Sequence, residues 1–383
     1  MIPSALPLFN RRMTEADAAP GAWAALSGDC CPSSRVADAW LRGLGSNRAA
    51  PVEVLLGLLD LSTSFPQFLR RADLPSAVMD AAVVHPRKAV RVAVAEGGRL
   101  SPEQWSRLLA ATPEPRARAV LVDMAEDLSA YRASGARRGV EGVPDREARP
   151  PANPEEIAAM VAALPDAAAG TPTNAVWWIA ALHADGAVMR RLASSPNRRI
   201  RRSVARAQHL PPDVVELLAH DEDSLVRRCL AESCDDAPPG LLLEEWRRRP
   251  GNFWHPGRPR DHPDFPRDGL LRFAGDQQPH MRLLALDDPA SSVALVERFS
   301  RDPDDQVRGR AASDQRLPAG AAVRLTDDVS LSVRCAVLEN PVLPPEVLAS
   351  MLLDERRAVF AAGNPAIPRA IMHRMTALAA ARH

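Results

Sequence analysis

The chain has 383 residues, with 48 basic and 48 acidic side chains and a formal net charge of zero at pH 7. This balance excludes a global electrostatic attraction to nucleic acid or to a membrane surface, so any such contact must be local. Lys88 is the only lysine, and its context of Pro86-Arg87-Lys88-Ala89-Val90 excludes a phosphate-binding loop and a protein-kinase site. Thirty-six prolines and 4% aromatic residues predict many short helices around an aliphatic core.

The start of the chain, residues 1–25, is interpreted as an N-terminal tail. Its first nine residues lack the cationic and apolar segments of a signal peptide, and no apolar run in the chain approaches the roughly 20 residues that span a bilayer. We therefore expect a cytoplasmic protein without a membrane partner. The five cysteines include no CxxC pair, which indicates reduced thiols, with neither a disulfide framework nor a zinc ribbon.

A sequence repeat of about 26 residues, clearest in the second half of the chain, predicts that residues 26–133 are helical repeats as well. A Val-Arg dipeptide or a close variant recurs with a period of about 26 residues, at Ile200-Arg201, Val226-Arg227, Met281-Arg282, Val307-Arg308 and Val333-Arg334. A proline stands sixteen residues before several of these arginines: Pro211 before Arg227, Pro318 before Arg334, Pro75 before Arg91 and Pro102 before Arg118. The last two pairs extend the same period into the N-terminal part of the chain.

Residues 134–153 combine glycine, proline and mixed charge without apolar periodicity. Such a composition is typical of a linker or a long loop. It predicts a separation between the N-terminal repeats and a central set of helical repeats at 154–246.

One unit of the central set, Pro211 to Asp236, shows how the pattern predicts structure. Proline suits a first helical turn, and the acidic run 221–223 suits the cap of a second helix. Val226 and Leu230 then form the buried stripe of that helix. Because each helix is too short to be stable alone, the units must stack and bury their apolar stripes against their neighbours.

A basic stretch, Met189 to Leu210, is the first candidate binding site, because it contains seven arginines and no acidic residue. Arg201 recurs with the period, so we expect it to bond the acidic turn of a neighbouring unit. Arg198, Arg202 and Arg206 form a like-charge ladder at i, i+4, i+8. Three interpretations stay open for these extra arginines: a solvated or internally paired face, an acidic protein partner, or nucleic-acid phosphate. The predicted partner-binding residues here are Arg198, Arg199, Arg202, Arg206 and Arg228.

The second candidate is residues 247–268, an insertion with five prolines that cannot be helical. Trp254, Arg258 and Arg260 complete the predicted partner-binding set, because arginines interleaved with aromatic rings are suited to stacking on bases. The alternative is that the rings fold back and fill a gap between repeats. His255, Asp261, His262 and Asp264 follow no metal-ligand spacing, so no metal site is predicted.

Residues 269–383 are predicted to be C-terminal helical repeats. The pattern formed by Asp302, Asp304, Val307, Arg308 and Ala312 resembles the second helix of HEAT repeats, although the period is shorter than theirs. Units of about 26 residues with Asn-Pro between them, as at Asn340-Pro341 and Asn364-Pro365, are similar to bacterial leucine-rich repeat variant proteins. This resemblance implies an all-α, curved right-handed solenoid of alternating α- and 3₁₀-helices. The family's iron–sulfur centre is not carried over, because only the pair Cys30-Cys31 is present.

No nucleophile elbow, metal-ligand motif or dinucleotide-binding motif occurs in the chain. We therefore expect no catalytic residues and no cofactor, with an enzymatic role less favoured than binding. The leading hypothesis is a scaffold that recognises a protein or peptide through its surface. The alternative is a nucleic-acid-binding solenoid that uses the arginines and the aromatic insertion, by analogy with HEAT-like DNA-repair enzymes. The oligomeric state is not predicted.

Overall fold

The computed structural model describes residues 21–27, 31–61, 66–133, 140–141, 149–248 and 258–382, with backbone only for 126–133 and 140–141. Within these ranges the regular secondary structure is almost entirely helical, as the sequence predicts. The helices of the first half are α1 (Ala24–Ser27), α2 (Ser34–Ser46), α3 (Val52–Leu61), α4 (Ser76–Val83), α5 (Lys88–Glu96), α6 (Pro102–Ala110), α7 (Pro115–Ala133), α8 (Pro154–Ala163), α9 (Trp177–Ala181), α10 (Gly186–Ala193) and α11 (Arg198–Val204).

The second half continues the same pattern of short helices. These are α12 (Pro212–Ala219), α13 (Ser224–Ser233), α14 (Pro239–Arg247), α15 (Pro279–Arg282), α16 (Val293–Phe299), α17 (Asp305–Ala312), α18 (Ala319–Leu325), α19 (Leu331–Leu338), α20 (Pro345–Leu352), α21 (Ala358–Ala362) and α22 (Arg369–Ala380). Single 3₁₀ turns lie at Gln67–Arg70, Leu270–Phe273 and Leu283–Leu286. The strands in the described part are β1 (Val140–Glu141) and β2 (Ala175–Val176), which pair in parallel, and β1 lies inside the predicted linker.

The helix pair predicted between Pro211 and Asp236 is confirmed as α12 and α13. Pro211 stands at the N-cap of α12, where its missing N–H costs nothing. The Asp223 side chain accepts the backbone N–H of Leu225 at the start of α13. Asp304 caps α17 in the same way. The two aspartate caps satisfy N–H groups that have no partner within a helix, which stabilises helices of only ten and eight residues.

Two compact units make up the chain. Unit 1 contains residues 1–125, 273–286 and 290–383, and unit 2 contains 126–272 and 287–289. The predicted N-terminal and C-terminal repeats therefore contribute mainly to unit 1, and the predicted central repeats contribute to unit 2. α7 spans the boundary at residue 126.

Three buried asparagines link successive helices of unit 1, and we call them the asparagine ladder. The Asn340 Nδ2 donates to the carbonyl oxygens of Ala312 and Asp314, each at 2.8 Å. The Asn364 Nδ2 donates to those of Leu338 and Asn340, and the Asn47 Nδ2 to those of Ala362 and Asn364. Each amide thus satisfies two buried carbonyls that end a helix.

The last step of the asparagine ladder joins the two ends of the chain within unit 1. α2 packs directly against α21 and α22, and the indole N–H of Trp40 donates to the carbonyl oxygen of Leu352 at 2.7 Å. The indole is fully buried. Gly43 lets the helices approach closely, since a Cβ there would lie 2.2 Å from the carbonyl oxygen of Val359. α2, near the start of the chain, therefore lies directly beside α21, near its end.

Two side chains show how the core of unit 2 is built. Trp178 is buried whereas the adjacent Trp177 is half-buried, so only one ring of the pair is fully in the core. Cys229 is buried on the apolar face of α13, three residues after the buried Val226. Burial raises the pKa of the Cys229 thiol, which keeps it protonated at neutral pH.

Candidate functional site

The predicted arginine ladder on α11 is bonded within unit 2. Arg198 pairs with Asp166 at 3.1 Å. Arg202 is fully buried, with its Nε 2.8 Å from Asp223 Oδ2 and its Nη1 2.7 Å from the carbonyl oxygen of Thr171. The Arg206 Nη2 donates to the carbonyl oxygen of Thr173. These acceptors offset the like-charge repulsion that the spacing of the three arginines predicts.

Other predicted binding residues also have intramolecular acceptors. Arg228 pairs with Glu232 at 2.7 Å along α13, and Arg199 is half-buried on α11. The space between Arg202, Arg206 and Arg228 measures about 10 Å³, which holds one water molecule at most. A partner-binding role for these residues stays a prediction, and the structure gives most of them a role in holding unit 2 together.

The described part of the insertion folds back onto unit 2. Phe265 is buried and packs edge-to-face on Trp246, with ring centroids 6.5 Å apart. His262 is fully buried, with its Nε2 2.9 Å from the carbonyl oxygen of Cys234. Arg258 pairs with Asp235, and Arg260 forms a two-bond fork with Asp287. Trp254, the predicted aromatic residue of this site, lies outside the described residues.

A regular set of arginines, which we call the arginine series, occupies the fourth position of six helices, α5, α11, α13, α15, α17 and α19. Each Nη1 donates to the carbonyl oxygens five and six residues earlier, in the turn that precedes its helix. The series consists of Arg91, Arg201, Arg227, Arg282, Arg308 and Arg334. Arg118, which the sequence groups with them, is exposed on α7 and makes no such bond among the described residues.

Three members of the arginine series also bind the acidic turn of the next helix pair, as predicted for Arg201. In each, Nε and Nη2 donate to the two carboxylate oxygens of an aspartate twenty residues later. The pairs are Arg201–Asp221, Arg282–Asp302 and Arg308–Asp328, with bonds of 2.7–3.0 Å. The same aspartates accept a backbone N–H in their own turn, so one carboxylate both shapes a turn and joins two helix pairs.

The Arg308 guanidinium beside Asp328 lowers the pKa of that carboxyl below its usual range. Such a group stabilises the fold above the unfolded pKa of about 4, and the contribution is lost as the pH falls through the folded value. We expect Asp328→Asn to cost about 1–3 kcal/mol at pH 7 and nothing below the folded pKa. Urea unfolding at pH 7, 5 and 3 measures this loss of stability.

The neighbouring Asp327, which is 71% exposed in its pair with Arg357, is the control, and Asp327→Asn should cost under about 1 kcal/mol. An equal loss from Asp328→Asn at pH 3 and pH 7 would contradict the prediction.

The arginine series changes at Arg334. Asp354 stands twenty residues later, yet no described carboxylate lies within 4.0 Å of the Arg334 guanidinium, and its only bonds are those to the carbonyls of Asp328 and Val329. The Asp354 Oδ1 instead accepts the backbone N–H groups of Arg356 and Arg357. The turn before α21 is helical at Arg357 (φ −105°, ψ −22°), whereas the turn before α19 is extended at Ser330 (φ −81°, ψ 126°).

A cavity of about 250 Å³ lies where the arginine series changes, entirely within unit 1, and we call it the basic cavity. Most of its wall comes from three arginines, Arg334, Arg356 and Arg357, and from three apolar side chains, Leu331, Leu338 and Phe360. Thr326 and Cys335 complete the wall. Leu331 is 58% exposed at the rim. Burial and the charge of Glu339 raise the pKa of the Cys335 thiol, which favours the protonated thiol at neutral pH.

Sequence reasoning missed the basic cavity because Asp354 stands twenty residues after Arg334. At the same spacing, Asp328 pairs with Arg308, so the spacing gives no sign that the ion pair of Arg334 is absent. The one signal is the replacement of the recurring arginine by Phe360, 26 residues after Arg334. Within the described ranges, no three histidine, cysteine, aspartate or glutamate side chains are grouped to hold a metal ion. No described helix is both long and apolar enough to cross a membrane.

Comparisons of the chain with protein-family models, with curated proteins and with solved structures find no match.

Proposed function

We propose that the chain is a non-catalytic binding scaffold that recognises a protein or peptide partner. In this proposal the helix pairs are units of an α-solenoid with a period of about 26 residues, of the kind found in leucine-rich repeat variant and HEAT-like proteins. The recurrence of the arginine series and its aspartates at a fixed spacing supports that architecture. Stacked units of this kind present a continuous surface on which an extended segment binds.

The basic cavity is the observation that carries the proposal. It is large enough for one or two side chains, and it combines guanidinium groups with the apolar side chains of Leu331 and Phe360. Small pockets that pair an apolar wall with a few charged groups are typical of ligand and peptide sites. Val329, which is 92% exposed beside the cavity, adds apolar surface that a partner would cover.

A peptide-display selection on the immobilised full-length chain tests this function. We expect enrichment of a defined peptide motif, and we expect Leu331→Asp to abolish capture because it places a charge at the rim of the basic cavity. Leu217→Asp is the matched control, since Leu217 is an exposed leucine at 48% on α12 of unit 2. Failure to enrich any motif would contradict the proposal. Capture of nucleic acid that depends on Arg198 and Arg206 would favour the alternative function instead.

A further inference from the structure

Arg308 and Arg334 occupy equivalent positions on α17 and α19, and they differ in one group. Both donate Nη1 to two carbonyls of the preceding turn. Arg308 then directs Nε and Nη2 at the Asp328 carboxylate. The Nε and Nη2 of Arg334 have no acceptor among the described residues, and the basic cavity lies beside them. The Nε and Nη2 donors of Arg334, which we call the Arg334 fork, therefore correspond to the two donors with which Arg308 binds a carboxylate, but they bind none among the described residues.

The charged groups around the basic cavity also favour an anion beside Arg334. Arg356 is exposed and has no side-chain acceptor within the described ranges, and Arg357 reaches Asp327 at 2.7 Å. The other nearby acidic groups have partners elsewhere, because Asp354 bonds to its own turn and Glu355 pairs with Arg35. Glu339 is exposed, and its charge raises the pKa of the Cys335 thiol. The wall of the cavity thus contains three guanidinium groups and no carboxylate, which favours an anion there.

We propose that the basic cavity binds the side-chain carboxylate of an aspartate or glutamate in a partner peptide, on the Arg334 fork, with an adjacent apolar residue of the peptide against Leu331 and Phe360. This inference rests on the proposed function and specifies the partner's chemistry. A carboxylate fits because its two oxygens match the Nε and Nη2 donors, as Asp328 does on Arg308. Arg356 and Arg357 add charge at the mouth of the cavity.

The test uses short probes and so does not depend on any selected peptide. Acetyl-Leu-Asp-amide, acetyl-Leu-Asn-amide, acetyl-Leu-Leu with a free C-terminus, and inorganic phosphate are titrated into the full chain. The NMR resonance of the Arg334 Nε–H reports on binding, and it is assigned by its loss in Arg334→Gln. We expect the aspartate probe to shift this resonance, with at least about tenfold weaker binding of the asparagine probe.

Arg356→Gln is the main variant because its side chain bonds to no described group, so folding is not at risk. It should weaken binding of the aspartate probe about three- to tenfold, whereas Arg369→Gln, an exposed arginine at the start of α22, should leave it unchanged. Equal binding of the aspartate and asparagine probes would overturn the inference. Binding of only phosphate, or of only the free C-terminus, would assign the cavity to another anion and overturn it as well. Binding of the aspartate probe without any displayed peptide motif would instead contradict the proposed function alone.

Discussion

Replacement of Arg202 by alanine is expected to lower the free energy of unfolding by about 3–5 kcal/mol. Arg202 is fully buried, and its partner Asp223 is 5% exposed, so the substitution leaves an ionised carboxylate without a counter-charge in the interior of unit 2. It also removes the donor that satisfies the carbonyl oxygen of Thr171. Denaturation in urea, followed by circular dichroism, measures the change.

Arg198→Ala is the matched control for Arg202→Ala, since both arginines lie on α11. Arg198 and its partner Asp166 are 35% and 45% exposed, so the loss should stay below about 1 kcal/mol. A similar loss for the two variants would show that burial of the Arg202 pair does not decide its contribution. A small loss in Arg202→Ala would favour the interpretation that this residue serves a partner.

A second large effect is expected where α2 meets α21. In Gly43→Ala the new Cβ would lie 2.2 Å from the carbonyl oxygen of Val359 and 2.5 Å from the Cβ of Ala362, so the two helices must move apart. We expect a loss of about 3 kcal/mol, because backbone on one side and packed side chains on the other leave no room. Hydrogen exchange should rise in α21 and α22 together with the fall in stability.

Gly57→Ala supplies a control of opposite sign. Gly57 lies inside α3, and a Cβ there meets no atom within 4 Å. Because alanine favours a helix more than glycine does, this variant should gain about 0.5–1 kcal/mol. If both glycine variants changed stability in the same direction, the close approach of α2 to α21 would not explain the role of Gly43.

The helical class and the local architecture were predictable from the sequence because they depend on short-range chemistry. Pro211 and Asp223 mark the starts of α12 and α13 through the preferences of helix termini. The role of Arg201 followed from its recurrence, which pointed to a contact within the fold. The solenoid and its period stay predictions, as does the partner-binding role of the arginines on α11.

The contacts that the sequence did not reveal depend on tertiary arrangement. The carboxylates that meet Arg198 and Arg202 lie 32 residues before the first and 21 residues after the second, outside the stretch whose composition looked purely basic. At Arg334, the presence of Asp354 at the usual spacing hid the missing ion pair, since the conformation of the turn decides where that carboxylate points. Asn47 carries no Asn-Pro signal, although it bonds as Asn340 and Asn364 do.

The packing of α2 on α21 and α22 has a consequence for biosynthesis. Trp40 receives its acceptor, the carbonyl of Leu352, 312 residues later in the chain. At a translation rate of about 5–20 residues per second, the interval lasts roughly 15–60 s. During that time α2 can pack on α3 and on the turn at Gln67–Arg70, but the part of α2 that faces α21 and α22 has no partner on the growing polypeptide. Unit 1 therefore completes this part of its core only once α21 and α22 have been synthesised, so the contact between α2 and these helices forms late in folding.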